Sequence, residues 1–149
     1  MTAFTDSLGF NKGTAAFPAN VTEVSKFEVK LDFAAIVAAR SAAGATALAA
    51  ADVLQVINLP ANAVVLSAGI EVVTTDASTA TFDLGFTGAS PAAVNAYAND
   101  AAISTAGYTI ADLANPTAVK VADTIDLLIN TAAPTTGKIR VFAVVADVS

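Results

Sequence analysis

The strongest constraint on this chain is a set of period-2 patterns concentrated between Asp52 and Gly88. Val64, Leu66, Ala68, Ile70 and Val72 alternate with Val65, Ser67, Gly69, Glu71 and Val73, and Phe82, Leu84 and Phe86 alternate with Thr81, Asp83 and Gly85. Alternation of this kind places successive side chains on opposite faces of a pleated strand. The short polar run Thr75-Asp76-Ala77-Ser78-Thr79 between them bends the chain readily, so the two segments are expected to form a hairpin. Ahead of them, Val53 to Leu59 is apolar on both faces apart from Gln55 and Asn58, and Pro60-Ala61-Asn62 closes it. A strand of that kind needs cover on two sides, so the stretch predicts a sheet packed against a second layer.

The rest of the chain extends the pattern. Lys26 to Phe33 sets Phe27, Val29, Leu31 and Phe33 against Lys26, Glu28, Lys30 and Asp32, a strand with one wet face whose alternating charges read as cross-strand solvation. Asp32 then suits the cap of a short helix over Ala34 to Ala43, with Gly44 as its left-handed terminator, although Ile36 and Val37 also suit a continued strand. Ala42 to Ala51 reads as a loop or close-packed turn. Asp123 to Asn130 alternates again, Ala132 to Gly137 is turn chemistry, and Lys138 to Val148 completes an expected second hairpin. Because that last segment is apolar on both faces after Arg140, it belongs at the centre of a sheet or beneath another subunit.

Two stretches lack this order. Residues 1–25 contain Gly9, Gly13, Pro18 and many small polar residues, and read as an extended N-terminal arm ahead of a single β-sandwich domain spanning 26–149. Beyond Gly88, Ser90-Pro91 resembles a helix start, Ala92 to Asp100 supplies two short helical turns, and Gly107-Tyr108 and Asn115-Pro116 mark irregular chain. The fold class that follows is all-β: an antiparallel β-sandwich, jelly-roll-like, of six strands with the arm and one or two short helices in its loops. Phe4, Leu8, Phe10 and Phe17 in the arm, and Tyr97 and Tyr108 in the long excursion, are the candidate interface residues. Each has a competing role on its own chain, the phenylalanines tucked onto the same domain and the tyrosines as loop anchors.

Composition narrows the chemistry. Histidine and cysteine are both absent, which removes the usual metal sites and the Ser-His-Asp and Cys-His arrangements; no metal and no cofactor is expected. Of thirteen acidic residues, the pairs Asp123/Asp126 and Asp76/Asp83 are the nearest to a glycosidase arrangement. Three positions apart on a strand, Asp123 and Asp126 are expected to face opposite ways, and Asp76 belongs to a turn, so no catalytic residue is assigned. Gly85-Phe86-Thr87-Gly88 lacks the spacing and lysine of a phosphate loop, and Asn95, Asn99 and Asp100 lack the acids of a calcium loop. A net charge of -6 with seven scattered basic residues argues against nucleic acid as a partner. The longest apolar run, Phe33 to Ala39, is too short to cross a membrane, and Met1 to Phe10 does not resemble an export signal. Without such a signal, the glycosylation pattern Asn20-Val21-Thr22 reads as accidental.

Several phrases taken together carry a resemblance: Ala49 to Val56, Leu59-Pro60-Ala61, Ala68 to Val73, Thr81-Phe82-Asp83-Leu84-Gly85, Ala122 to Leu127 and Gly137 to Ala143. Over roughly Lys26 to Val148 the chain resembles small structural proteins of tailed bacteriophages. The resemblance implies a capsid decoration, or cement, protein: a sheet-rich subunit that forms a homotrimer on the outer capsid surface where major capsid proteins meet. It also implies a protein made in the host bacterial cytoplasm and carried on the virion. The rival reading is a host- or carbohydrate-binding module of a phage tail fibre or head fibre, against which stand the absence of tryptophan and the few aromatic platforms.

Overall fold

A computed structural model of the protein describes residues 3–4, 8–15, 24–88, 93–110 and 117–147. In chain order the elements are β1 (Ala3–Phe4), β2 (Gly13–Thr14), β3 (Val24–Asp32), α1 (Phe33–Ala42), β4 (Val53–Leu59) and β5 (Ala63–Thr74). They continue with β6 (Thr81–Phe86), β7 (Ala93–Ala102), β8 (Gly107–Ile110), β9 (Thr117–Val119), β10 (Asp123–Ile129) and β11 (Lys138–Asp147). One sheet runs β1-β4-β10-β6-β7, with β2 beside β1 on the same edge of β4; the other runs β3-β11-β5-β8, with β9 also on β5. β1 and β2 lie parallel to β4, and every other pairing is antiparallel. The protein is all-β, and its two sheets share one apolar core.

Apolar patterning accounts for strand position. β11, greasy on both faces, lies between β3 and β5, with Ile139, Val141, Ala143 and Val145 buried inward and Arg140, Phe142 and Val144 half-buried outward. β4 is flanked by β10 on one side and by β1 and β2 on the other. Between the sheets, Phe33 stacks on Phe82 with ring centres 5.4 Å apart, and Leu54, Ile57, Ile70, Leu84, Ile125 and Leu127 are fully buried. α1 begins where Asp32 Oδ1 accepts the Ala35 N–H at 3.3 Å, and it ends before Gly44, whose φ of +63° is the left-handed geometry expected there.

Four features depart from the sequence reading. The segment expected to form helical turns, Ala92 to Asp100, is largely strand β7. Its pairing with β6 is irregular: Leu84 faces Ala98 and Phe86 faces Ala93, so two steps along β6 match five along β7. Extra residues of this kind are bulges. They space the buried positions Tyr97, Ala98 and Ala101 at intervals that imitate a helix. Second, neither expected hairpin pairs with itself. β5 and β6 lie in different sheets, as do β10 and β11, so both connecting turns carry the chain across the sandwich. Third, Gly107-Tyr108 is not irregular but opens β8, which pairs with β5. Fourth, two short pieces of the arm are strands, with the Ala15 N–H donating to Asn58 O at 2.9 Å beyond β2.

The Asp83-Leu84-Gly85 phrase has a local physical cause. Asp100 adopts φ +51° at the first bulge, and its N–H is held by Asp83 Oδ1 at 2.8 Å. Gly85 lies where β7 crosses so closely that an added Cβ would stand 2.0 Å from Ala93 O. No rotamer relieves a clash with backbone. Gly85→Ala is therefore expected to lower unfolding free energy by about 3 kcal/mol, read from urea melts; an unchanged midpoint would show that β7 does not bear on Gly85.

Candidate assembly surfaces

With histidine and cysteine absent, the carboxylates are the groups that carry catalytic potential. Asp76, 3 % exposed, accepts the N–H groups of Ser78 at 2.7 Å, Thr135 at 3.0 Å and Thr136 at 2.7 Å. Its own N–H donates to Ile103 O at 3.2 Å. Burial pushes this carboxyl up, but the backbone donors of Ser78, Thr136 and Thr135 together outweigh it and bring the pKa to about 2. Asp83 accepts from Asp100 N and from Asn130 Nδ2, both at 2.8 Å. Asp126, 1 % exposed, accepts from the Thr87 N–H at 3.1 Å, the Thr87 hydroxyl, and the Thr124 hydroxyl at 2.6 Å. There burial dominates and pushes the carboxyl up despite those donors, with the charge of Asp123 adding to the rise. The register shift between Ile125 and Asp126 places its extra residue, Val56, on β4, while the bond from Thr124 to Asp126 two residues on keeps the alternation of β10. Asp76, Asp83 and Asp126 are thus engaged by backbone and side-chain donors at corners and bulges.

Charge and exposed apolar surface gather on the outer face of the β3-β11-β5-β8 sheet. Arg140 pairs with Glu71 across to β5 and with Glu28 at 3.6 Å across to β3. Lys26 reaches Glu28 at 3.3 Å and stands 5.9 Å from the centre of the Phe142 ring; Lys138 reaches Asp32 at 2.8 Å. The Tyr108 hydroxyl bonds Glu71 and, together with Arg140, draws that carboxyl below its usual range against the effect of desolvation. The same contact raises the Tyr108 hydroxyl. Lys26, by its hydrogen bond, lowers Glu28 in the same way. Around this network Val73, Tyr108 and Ile110 are all more than half exposed. An open groove of about 730 Å3 crosses the face, with Lys30, Val73, Lys138 and Arg140 in its lining and Phe10 at its wall.

The six residues singled out from sequence have different surroundings. Phe4 is buried in the chain's own core, with the Arg40 guanidinium 3.9 Å from its ring centre, while Arg40 Nε donates to Thr46 O at 2.6 Å. Tyr97 is also buried, edge-on to Phe86 at 5.7 Å. Leu8 and Phe10 are half-buried, Phe10 against the core. Tyr108 is 64 % exposed on the outer face just described. Phe17 lies outside the described residues. Sequence reasoning missed Val73 and Ile110. Val73 was legible as the outward partner of Val72 at a strand end, whereas Ile110 carried no signal within a stretch read as irregular.

No family model matches the chain, and no curated protein does. Solved structures do share its fold. A chain of the cyanophage Pam1 capsid asymmetric unit superposes with a TM-score of 0.59 at 21% identity, over 89% of this chain and 91% of that one. A chain of the acidic stable capsid of Helicobacter pylori bacteriophage KHP30 gives 0.58 at 15% identity, over 87% and 92%. A chain of the capsid of Ralstonia phage GP4 gives 0.55 at 18% identity, over 93% and 92%. The common property is the two-sheet all-β fold, matched nearly end to end in both partners.

Asp76 also fixes a pH dependence. Its folded pKa near 2 lies below the unfolded value of ~3.9, so its contribution is complete above about pH 4 and is lost as pH falls through 2. Asp126, raised in the fold, acts with the opposite sign and favours the folded state as it protonates. Asp76→Asn should cost about 2 kcal/mol at pH 7 and flatten the loss of stability between pH 4 and pH 2. Melts of both proteins across that range test this; parallel curves would remove Asp76 as the acid-sensitive corner.

Proposed function

We propose that the protein is a structural component of a bacteriophage virion, a decoration or cement protein that works as a homotrimer on the outer capsid surface and bridges major capsid subunits. One observation carries this reading: chains from three phage capsid structures share its fold over at least 87% of this chain and at least 91% of their own length. The matched units are therefore whole chains of about this size, and not a domain cut from a larger protein. In this reading the sandwich of 26–149 is the body, with β1 and β2 of the 1–25 arm added to one of its sheets.

The chemistry supports a role without turnover. Asp76, Asp83 and Asp126 are tied into the fold by hydrogen bonds, and no cluster of metal-ligating side chains occurs among the described residues. A net charge of -6 keeps such a protein away from packaged DNA. A shell under internal pressure parts at the junctions between its subunits, and a subunit that contacts several of them at once reinforces those junctions through effective concentration, even where each contact is weak. Contacts made by neutral and apolar patches persist in moderate salt, unlike those that depend on steering charges.

Particles made without the protein, or stripped of it, are expected to keep their shape but release DNA at a lower temperature, and purified protein added back should restore the difference. Stripped particles that are equally heat-resistant but attach poorly to cells would overturn this reading in favour of a host-binding module on a fibre.

A further inference from the structure

β3 forms the end of its sheet, and among the described residues no strand pairs with its outer edge. The pairing with β11 sets Asp32 opposite Lys138 and runs without a break to Val24, and the Phe33 N–H donates to Gly137 O at 3.1 Å. In an antiparallel ladder this places the odd-numbered residues of β3 in hydrogen-bonded pairs with β11. The backbone N–H and C=O groups of Lys26, Glu28 and Lys30 therefore point away from β11, to the edge that no described strand pairs. Their side chains share the outer face, and the groove beside them is lined by Glu28, Lys30 and Asp32 together with Gly9, Phe10 and Asn11 of the arm. The charges along this edge read Lys26, Glu28, Lys30, Asp32.

An antiparallel strand laid against that edge must choose a register, and one register alone engages all four of these side chains in opposite-charge pairs. If a second copy of β3 is placed with the two Val29 residues opposite each other, Lys26 faces Asp32, Glu28 faces Lys30, and both pairs occur twice. All four cross-strand pairs are then opposite in charge. Sliding by two residues in either direction sets Lys26 against Lys30 and Glu28 against Glu28, or Glu28 against Asp32 and Lys30 against Lys30. Those arrangements repel at every pair. In the favoured register Glu28 and Lys30 of the two copies exchange both backbone hydrogen bonds. Lys30, which makes no ion-pair contact with a described carboxylate in its own chain, there gains a partner.

We infer that β3 is a contact between two copies of this chain, joined edge to edge about a two-fold axis at Val29 so that the β3-β11-β5-β8 sheet continues from one copy into the next. The contact is isologous, with the same surface used on both sides. It is independent of the capsid reading and sets a symmetry that a trimer alone does not contain. The competing role for such an edge is protective, its charges serving to keep other strands away.

Charge exchange separates the two. Lys30→Glu places like charges at both central pairs while setting the introduced carboxylate beside Arg140 in its own chain, so the fold is retained. Adding Glu28→Lys restores opposite charges at both central pairs and leaves the outer Lys26–Asp32 pairs as they were. Sedimentation of the purified full chain across a concentration series should show the wild type doubling the mass of its basal unit, to about six chains where that unit is the proposed trimer. Lys30→Glu should raise the dissociation constant of that doubling on the order of tenfold or more, and the double variant should return it close to wild type, with melting temperatures confirming that all three are folded. A wild type that never doubles, a Lys30→Glu variant that doubles as readily, or a double variant that stays dissociated overturns strand pairing at β3. None of those results bears on DNA release from stripped particles, so the two proposals fail separately.

Discussion

Three backbone N–H groups converge on the carboxylate of Asp76, and the joining of the two sheets depends on that convergence. Ser78 lies on the turn from β5 to β6, Thr135 and Thr136 on the turn from β10 to β11, and Ile103, bonded to the Asp76 backbone, follows β7. Two of these connections carry the chain from one sheet to the other. A turn inside a hairpin is held by the strands it joins, but a turn between sheets has no ladder to hold it. Its backbone donors need a side-chain acceptor, and buried Asp76, itself on the first of these turns, supplies one for both. Asp83 does similar work at the bulge in β7, and Asp126 links β10 to Thr87 just beyond β6.

Much of the strand content was legible because alternation and burial share one cause. β3, β5, β6, β10 and β11 appear where period-2 patterns placed them, and Asp32 and Gly44 bound the helix as their chemistry requires. The misreadings arose where period and burial part company. In β7 the bulges stretch the spacing of inward residues toward that of a helix, and a window of sequence cannot distinguish a bulged strand from two helical turns. The hairpins failed for a different reason. A short polar turn looks the same whether the chain folds back within a sheet or crosses to the other, and the choice is made by the acceptor at Asp76, which is remote from the second turn in sequence. The aromatic residues of the candidate interface divided similarly. Phe4 and Tyr97 had buried partners, Arg40 and Phe86, that spacing could not reveal, while Tyr108 faces out.

These features suit the load-carrying role proposed above. Carboxylates locked into corners stiffen a subunit without exposing reactive groups, and a mixed outer face of ion pairs and apolar side chains offers contact surface that does not rely on net charge. A chain with few charges and a large apolar fraction suits a life packed against neighbours. An edge that no described strand pairs, with charges that favour one antiparallel register, adds a directional element that a featureless surface lacks.

The most direct measurement is a density map of the intact virion with side-chain detail, into which this chain is fitted without prior placement. The account predicts this fold on the outer face of the head, in contact with more than one major capsid subunit. Density for the chain on a tail or fibre, or its absence from the particle, would contradict it.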